Sequence, residues 1–255
     1  MKDRIAIVTG AASGIGFEIA SRMAAEGACV VVSDVRGNIA RKAVRRIEHG
    51  RAVSFQADMT SEDQIKALVD FTVKKFRSID ILVNNAGMQH VSSIEDFPIE
   101  KFNQLIQLML IGPFISTKLV FPLMKRKRYG RIINLASING LIGFAGKAAY
   151  NSAKHGLVGL TKVAALEGAE YGITVNALCP GYANTSLVQN QLKDIARTRH
   201  IQVQRVLEEV IYPLVPQRRL LEPSEVADYA VFLASDKARG VTGQAVVIDG
   251  GYLAQ

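Results

Sequence analysis

The stretch "RIAIVTGAASGIGFEIASRMAAEG", residues 4–27, decides the fold. A short run of Ile, Ala and Val reads as a buried strand. From Gly14 onward the apolar residues fall at helical spacing, up to a stop at Gly27. Between the two the chain passes Gly10, Gly14 and Gly16. A strand that enters a helix through glycines brings backbone N–H groups, and the positive end of the helix dipole, close to a phosphate. Gly10, Ser13, Gly14, Ile15 and Gly16 are therefore expected to cradle the pyrophosphate of a dinucleotide. The spacing is GxxxGxG, and glycine turns also arise for steric reasons alone, so the reading needs support from the rest of the chain.

That support comes from the rhythm that follows. "CVVVSD", "AVSFQAD", "IDILVNNAG", "GRIINLAS", "ITVNALCPG" and "QAVVIDGG" read as further strands. They alternate with helical segments: "NIARKAVRRIEHG" stopping at Gly50, "SEDQIKALVDFTVKKF" behind a Ser cap, a long one from Ile99 to Lys127, "KAAYNSAKHGLVGLTKVAALEGAEY" and "SEVADYAVFLAS". Gly112-Pro113 should disturb the middle of the long helix. Fully apolar strands alternating with helices imply an α/β fold: one doubly wound parallel sheet of about seven strands covered on both faces, in a single domain. The segment from Pro180 to Pro216 is too long for a simple connection, so an insertion with its own helices, a lid over about 181–216, is expected.

The second apolar strand ends at Asp34, 18 residues past Gly16. An acid there accepts hydrogen bonds from the adenosine ribose and repels a 2′-phosphate, which favours NAD over NADP. Arg36 just beyond could meet such a phosphate. Parallel strands deliver their following residues to one edge, so Asp58 and Met59, Asn84 and Gly87 within "NNAG", Ser137, and Pro180 are placed beside the same ligand. All of these are also ordinary turn formers or turn neighbours; their gathering at one end is what carries the reading.

Composition narrows the alternatives. The 255 residues are 49% hydrophobic with a net charge of +8. Basic residues bunch in "ARKAVRRIEHG" and "MKRKRYGR", but without interleaved aromatics or a reading-helix motif, so solvated faces are expected rather than a nucleic-acid site. Cys29 and Cys179 sit in apolar runs as buried small residues, with no spacing for a metal or a redox pair. The N-terminus runs straight into a strand and no apolar run is read as a membrane span, so a cytoplasmic protein without membrane association is expected.

The stretch "GKAAYNSAKHG", residues 146–156, places Tyr150 and Lys154 four apart on one helical face among small residues. A free tyrosine titrates at about 10, and a fixed ammonium nearby favours its phenolate. Tyr150 could then exchange a proton with an alcohol or carbonyl near neutral pH. Ser137, 13 residues earlier, offers a hydroxyl to the same oxygen.

With "TGAASGIG", "NNAG", "YNSAK" preceded by the spaced serine, and "PGYANT", the sequence resembles the short-chain dehydrogenase/reductase family over essentially its whole length. The resemblance implies hydride transfer between NAD(P) and a carbonyl or alcohol carbon. It implies Ser137, Tyr150 and Lys154 as the catalytic group, with Lys154 also holding the nicotinamide ribose and Thr185 near the carboxamide. Oligomerisation as a homotetramer is likewise implied. Within the family the chain is similar to 3-hydroxybutyrate dehydrogenases, on "AGMQHVSSIEDFP", "TSLVQNQL" and "DGGYLAQ" among other stretches. That similarity implies a small hydroxy-acid or keto-acid substrate whose carboxylate meets Gln89, Lys147 and Gln191, beside Ser137 and Tyr150. Two departures stand out. Met109 occupies the place where the family has an asparagine in its proton path, leaving water or Gln107 to rebuild it. Asn139 stands where the subgroup has a pocket histidine. Other alcohol or ketone substrates, such as a 3-oxoacyl thioester or a sugar, and a non-catalytic nucleotide-binding role stay open at this point.

Overall fold

The computed structural model describes residues 1–199 and 201–254, with the backbone alone for 193–195 and 197–199. Seven strands form one sheet in the order β3-β2-β1-β4-β5-β6-β7, all parallel. They are β1 (Ile5–Thr9), β2 (Cys29–Asp34), β3 (Arg51–Gln56), β4 (Ile81–Asn84), β5 (Gly130–Leu135), β6 (Ile173–Pro180) and β7 (Ala245–Ile248). Helices α1 (Gly14–Ala25), α2 (Gly37–Arg46), α3 (Glu62–Phe76), α4 (Ile99–Ile106), α5 (Gly112–Lys127), α6 (Ala148–Gly168) and α9 (Pro223–Ala234) cover the sheet. α7 (Ser186–Arg199) and α8 (Val203–Val206) lie in the expected insertion. β1, β2, β4, β5 and β6 are buried along their whole length, which is why they read as continuous apolar runs. The two edge strands, β3 and β7, are partly exposed.

The core has two halves. On one face Ile19, Met23 and Val226 pack on Val8, Val30 and Val83. On the other, Ile65, Leu68, Ile115 and Met124 pack on Ile7, Val31, Leu82 and Ile132. A separate apolar cluster of Tyr182, Leu192, Val206, Ile211 and Val215 holds the insertion together. Its two ends are tied where Leu221 N–H donates to the Tyr182 carbonyl (2.9 Å) and Asn184 N–H to the Leu221 carbonyl (2.8 Å).

Three local readings change. α2 stops at Arg46, short of Gly50, because Ile47 turns to extended backbone and packs on the core under α1. The long helix is not broken at Gly112-Pro113. It widens by one residue over Gln107–Ile111, so that Gly112 N–H donates to the Gln107 carbonyl five residues back. The register then restarts with proline inside the first turn of α5, where its missing N–H costs little. Finally, Ile99–Lys127 is, by length and hydropathy, apolar enough to cross a membrane, contrary to the sequence expectation. Its apolar residues serve the core instead: Leu105, Met109, Ile115, Val120 and Met124 are all buried.

A buried polar chain fixes the middle of the sheet. Ser116 Oγ donates to Asn84 Oδ1 (2.7 Å), Asn84 Nδ2 to Asn134 Oδ1 (2.8 Å), and Asn134 Nδ2 to Thr161 Oγ1 (2.8 Å). It ties α5 to β4, β4 to β5, and β5 to α6. Asn134→Ala leaves the Asn84 Nδ2 donor unpaired in the interior and removes the donor to Thr161 Oγ1, and is expected to lower stability by about 2–4 kcal/mol. Urea unfolding measures it; a loss below about 1 kcal/mol would show that the chain of amides is not structurally required.

Candidate active site

The order of the sheet reverses between β1 and β4, and the carboxyl ends of the strands open there onto a cleft of about 950 Å³. Ligands of open α/β sheets bind at this kind of reversal. Gly10, Ser13, Gly14, Ile15, Gly16, Asp34, Asp58, Met59, Gly87, Ser137, Tyr150, Lys154, Pro180 and Thr185 all line the cleft. Asn84 does not; its amide belongs to the buried chain described above, and the neighbouring Asn85 faces the cleft in its place.

Asn85 fastens the glycine turn. Its Nδ2 donates to the carbonyls of Thr9 (2.9 Å) and Gly10 (3.0 Å), while its backbone N–H donates to Thr9 Oγ1 (3.0 Å). Gly10 is at φ 62°, and a Cβ there would lie 2.7 Å from the Cα of Ala86. A Cβ at Gly16 would collide with the Asn85 amide. Ser13 stands at the start of α1, yet its hydroxyl caps nothing and the first turn carries no acid. The first N–H groups of α1 and the Ser13 hydroxyl are thus offered to an external anion. These features fit the pyrophosphate of a dinucleotide.

Asp34 is buried at the end of β2. Its Oδ2 accepts from Ala12 N–H (3.2 Å), and its Oδ1 accepts from the backbone N–H (3.0 Å) and Nε (3.2 Å) of Arg36. Asp58 Oδ1 accepts from Thr60 N–H and Oγ1, both at 2.8 Å.

Across the cleft, Ser137 follows β5, and α6 carries Tyr150 and Lys154. The Tyr150 hydroxyl shares a hydrogen bond with Ser137. Burial raises the Tyr150 pKa, and the Ser137 hydrogen bond opposes that rise. Burial also lowers Lys154 to about 8. Its ammonium donates to the Leu135 carbonyl and sits 5.6 Å from the centre of the Tyr150 ring. The sequence reading weighs the ammonium, which favours the phenolate; desolvation is the largest influence on the phenol and acts in the opposite direction.

Cys179 is a neighbour that the sequence reading treated as filler. The backbone N–H of Ser137 donates to its sulfur, and burial pushes the thiol up to about 11. It has electrostatic contact with both Tyr150 and Lys154. Nothing in its apolar sequence context signals this, because the contacts come from the β5–β6 pairing.

The residues expected to meet a substrate carboxylate do not line the dinucleotide cleft. Lys147, Asn139 and Gln191 are buried outside its lining, and the amide oxygen of Gln89 is buried without a hydrogen-bond partner among the described residues. Lys147, at the start of α6, is 3% exposed, and its side chain makes no hydrogen bond or ion pair among the described residues. Its Nζ lies 5.9 Å from the ring centre of Tyr182, which belongs to the apolar cluster of the insertion.

A helix start open to an anion, facing a Ser–Tyr–Lys group across one cleft, fits a dinucleotide-dependent oxidoreductase. The sequence model described as enoyl-(acyl carrier protein) reductase matches residues 10–253, and the chain belongs to the short-chain dehydrogenase/reductase family. It is 61% identical to the uncharacterized oxidoreductase YxjF of Bacillus subtilis (strain 168), over 100% of both chains. It is 43% identical to the D-beta-hydroxybutyrate dehydrogenase of Cupriavidus necator, again over 100% of both. Among solved structures, a single-substitution variant of actinorhodin polyketide ketoreductase with NADPH superposes with a TM-score of 0.95 at 34% identity, covering 99% of each chain. The protein is thus an oxidoreductase of this family with a nicotinamide dinucleotide as cofactor.

Met109 is fully buried against Leu105, Ala149 and Ala153, with Tyr150 packed on the same cluster. Gln107 lines the cleft, with its Nε2 donating to the Thr60 carbonyl (3.2 Å). Met109→Asn would bury an amide among aliphatic groups. It is expected to cost about 1–3 kcal/mol in stability, read by thermal and urea unfolding. Unchanged stability would mean that the pocket holds a polar partner for the amide.

Proposed function

We propose that the protein interconverts a short hydroxy acid and its keto acid with NAD, specifically (R)-3-hydroxybutyrate and acetoacetate. The observation that carries this reading is the buried Lys147 ammonium, which no acid or other acceptor neutralises among the described residues. A buried cation without a partner is costly, and a carboxylate ligand relieves that cost. Gln89 and Gln191 offer amides to the same carboxylate; rotation of the Gln89 amide presents its Nε2 as a donor. The full-length similarity to a D-beta-hydroxybutyrate dehydrogenase supports the same substrate class.

When bound, the nicotinamide dinucleotide supplies the hydride acceptor for oxidation of the alcohol carbon. Gly10, Ser13, Gly14, Ile15 and Gly16 would hold its pyrophosphate. Asp34 would receive the adenosine ribose, and Asp58, Met59, Asn85, Gly87, Pro180 and Thr185 would border the rest. Ser137 fixes the alcohol oxygen. Tyr150 as phenolate takes the hydroxyl proton and, as phenol, returns it in the reverse direction. Lys154 opposes the desolvation of that phenolate and holds the ribose. Asn139 is a neutral donor at the edge of the pocket. The buried carboxylate of Asp34 favours NAD; its ion pair with Arg36 tempers the repulsion of a 2′-phosphate without removing it.

A second reading, a family member acting on another alcohol or ketone, is favoured by the neutral Asn139 and by the 37% identity to a 3-oxoacyl-[acyl-carrier-protein] reductase of Synechocystis. We further propose a homotetramer in the cytoplasm. Exposed Ile111 and Phe114 on the long helix and Val163 and Leu166 on α6 offer apolar faces to other copies, and a reducing compartment suits two buried free thiols.

Turnover of a panel of hydroxy acids, neutral alcohols and sugars with NAD and NADP tests the assignment. The expected result is activity on 3-hydroxybutyrate with a preference for NAD. Activity confined to uncharged substrates would transfer support to the second reading. Tyr150→Phe should lower kcat by about 10²–10⁴ with NADH still bound; retained turnover would remove Tyr150 from the chemistry. Lys147→Met should raise KM for the hydroxy acid and leave KM for neutral alcohols alone; equal effects would exclude a carboxylate clamp.

A further inference from the structure

Lys147 is a charged side chain buried in a pocket that supplies no counter-ion among the described residues. What the pocket supplies is aromatic. The Lys147 Nζ sits over the ring of Phe144, 4.2 Å from its centre, with the Tyr182 ring on the insertion at 5.9 Å. A ring face carries negative electrostatic potential, and its attraction for a cation grows when both are withdrawn from water. Phe144 sits on the loop ahead of α6, three residues before Lys147, and that loop is held in place. Lys147 N–H donates to the Phe144 carbonyl (3.2 Å), and Asn151 N–H to the Lys147 carbonyl (2.8 Å). The ammonium is thus placed by the backbone of its own loop and by two rings, one of them belonging to the insertion.

We propose that Phe144 is a positioning residue for substrate selection: its ring face, with Tyr182 beyond it, takes the place of a carboxylate partner and keeps the Lys147 ammonium charged and unpaired, ready for an anionic substrate. A carboxylate in the same place would satisfy the lysine internally and compete with the substrate's own. A ring stabilises the charge and leaves all three N–H donors available. This inference deepens the hydroxy-acid reading above and rests on it for the identity of the anion, though not for the state of the lysine.

The consequence is a pH limit. Burial lowers Lys147 to about 8, and among the described residues no charged group adds to that effect. The titratable side chain beside it among the described residues is Tyr182, whose own pKa is raised by burial, so it stays neutral across this range. The ammonium form persists below about 8 and is lost as pH rises through that value. Binding of an anion at Lys147 follows the same sign: present below, lost above. Removing the ring takes away an influence that favours the charged form, so the limit moves to lower pH.

The test is the Lys147 titration in the full-length protein, followed by NMR of ¹³C-labelled lysine side chains and assigned by subtraction of the Lys147→Met spectrum. Phe144→Leu should lower its midpoint by about one pH unit, the equivalent of a partly desolvated cation–ring contact. Phe144→Tyr, which keeps the ring, should restore it. A midpoint in Phe144→Leu equal to that of wild type, in a variant whose circular dichroism is native, overturns the proposal. So does a midpoint lowered equally in Phe144→Tyr, since the ring would then not be the cause. A parallel titration with acetate reads the substrate assignment separately. Acetate should bind wild type at pH 6 and weaken above pH 8. A ring-dependent lysine midpoint without acetate binding would leave the cradle standing and sink the carboxylate-clamp reading instead.

Discussion

The molecule depends on how the end of β1 is held against the end of β4. At that point the sheet reverses its order, and the gap between the two strands is where a ligand can enter. Asn85 spans it, with one amide nitrogen shared between the carbonyls of Thr9 and Gly10, and the Thr9 hydroxyl receives two backbone N–H groups in return. These contacts fix the first glycine of the turn in its left-handed conformation and set the start of α1 facing the cleft. A turn free to drift would leave the first N–H groups of α1 without a common target, and the pyrophosphate site would exist only in part of the ensemble.

Burial does much of the electrostatic work around that gap, and it acts in opposite senses on different groups. It raises Tyr150 and Cys179 and lowers Lys154 and Lys147. Each shift disfavours the charged form. The Ser137 hydrogen bond is therefore a correction applied to a phenol that desolvation raises. Lys147 shows the same principle in a second pocket. There the correction comes from a ring instead of an acid, because an acid would occupy the position that a substrate carboxylate needs.

The fold was legible because its signals are local. Unbroken apolar strands, amphipathic helices between them and a glycine turn at the first crossover each span fewer than thirty residues, and all survive in the structure. Tyr150 and Lys154 were legible for the same reason, since four residues on a helix fix their relation. What the sequence hid lies between distant segments. Cys179 reaches Ser137 only through the pairing of β5 with β6. The burial of Met109 depends on α4 meeting α6. The role of Asn84 passes to Asn85 because alternate residues leaving a strand face opposite ways. The long helix carries enough apolar residues for a bilayer, and tertiary packing buries Leu105, Met109, Ile115, Val120 and Met124 in the core while Ile111 and Phe114 stay exposed.

The direct measurement of the central claim is the affinity of NADH for Asn85→Ala beside that of wild type, by isothermal titration, with the fold of both checked by far-ultraviolet circular dichroism. A folded Asn85→Ala that binds NADH at least about tenfold more weakly, a loss near 1.4 kcal/mol, is the predicted result. A folded variant that binds NADH as tightly as wild type would contradict it.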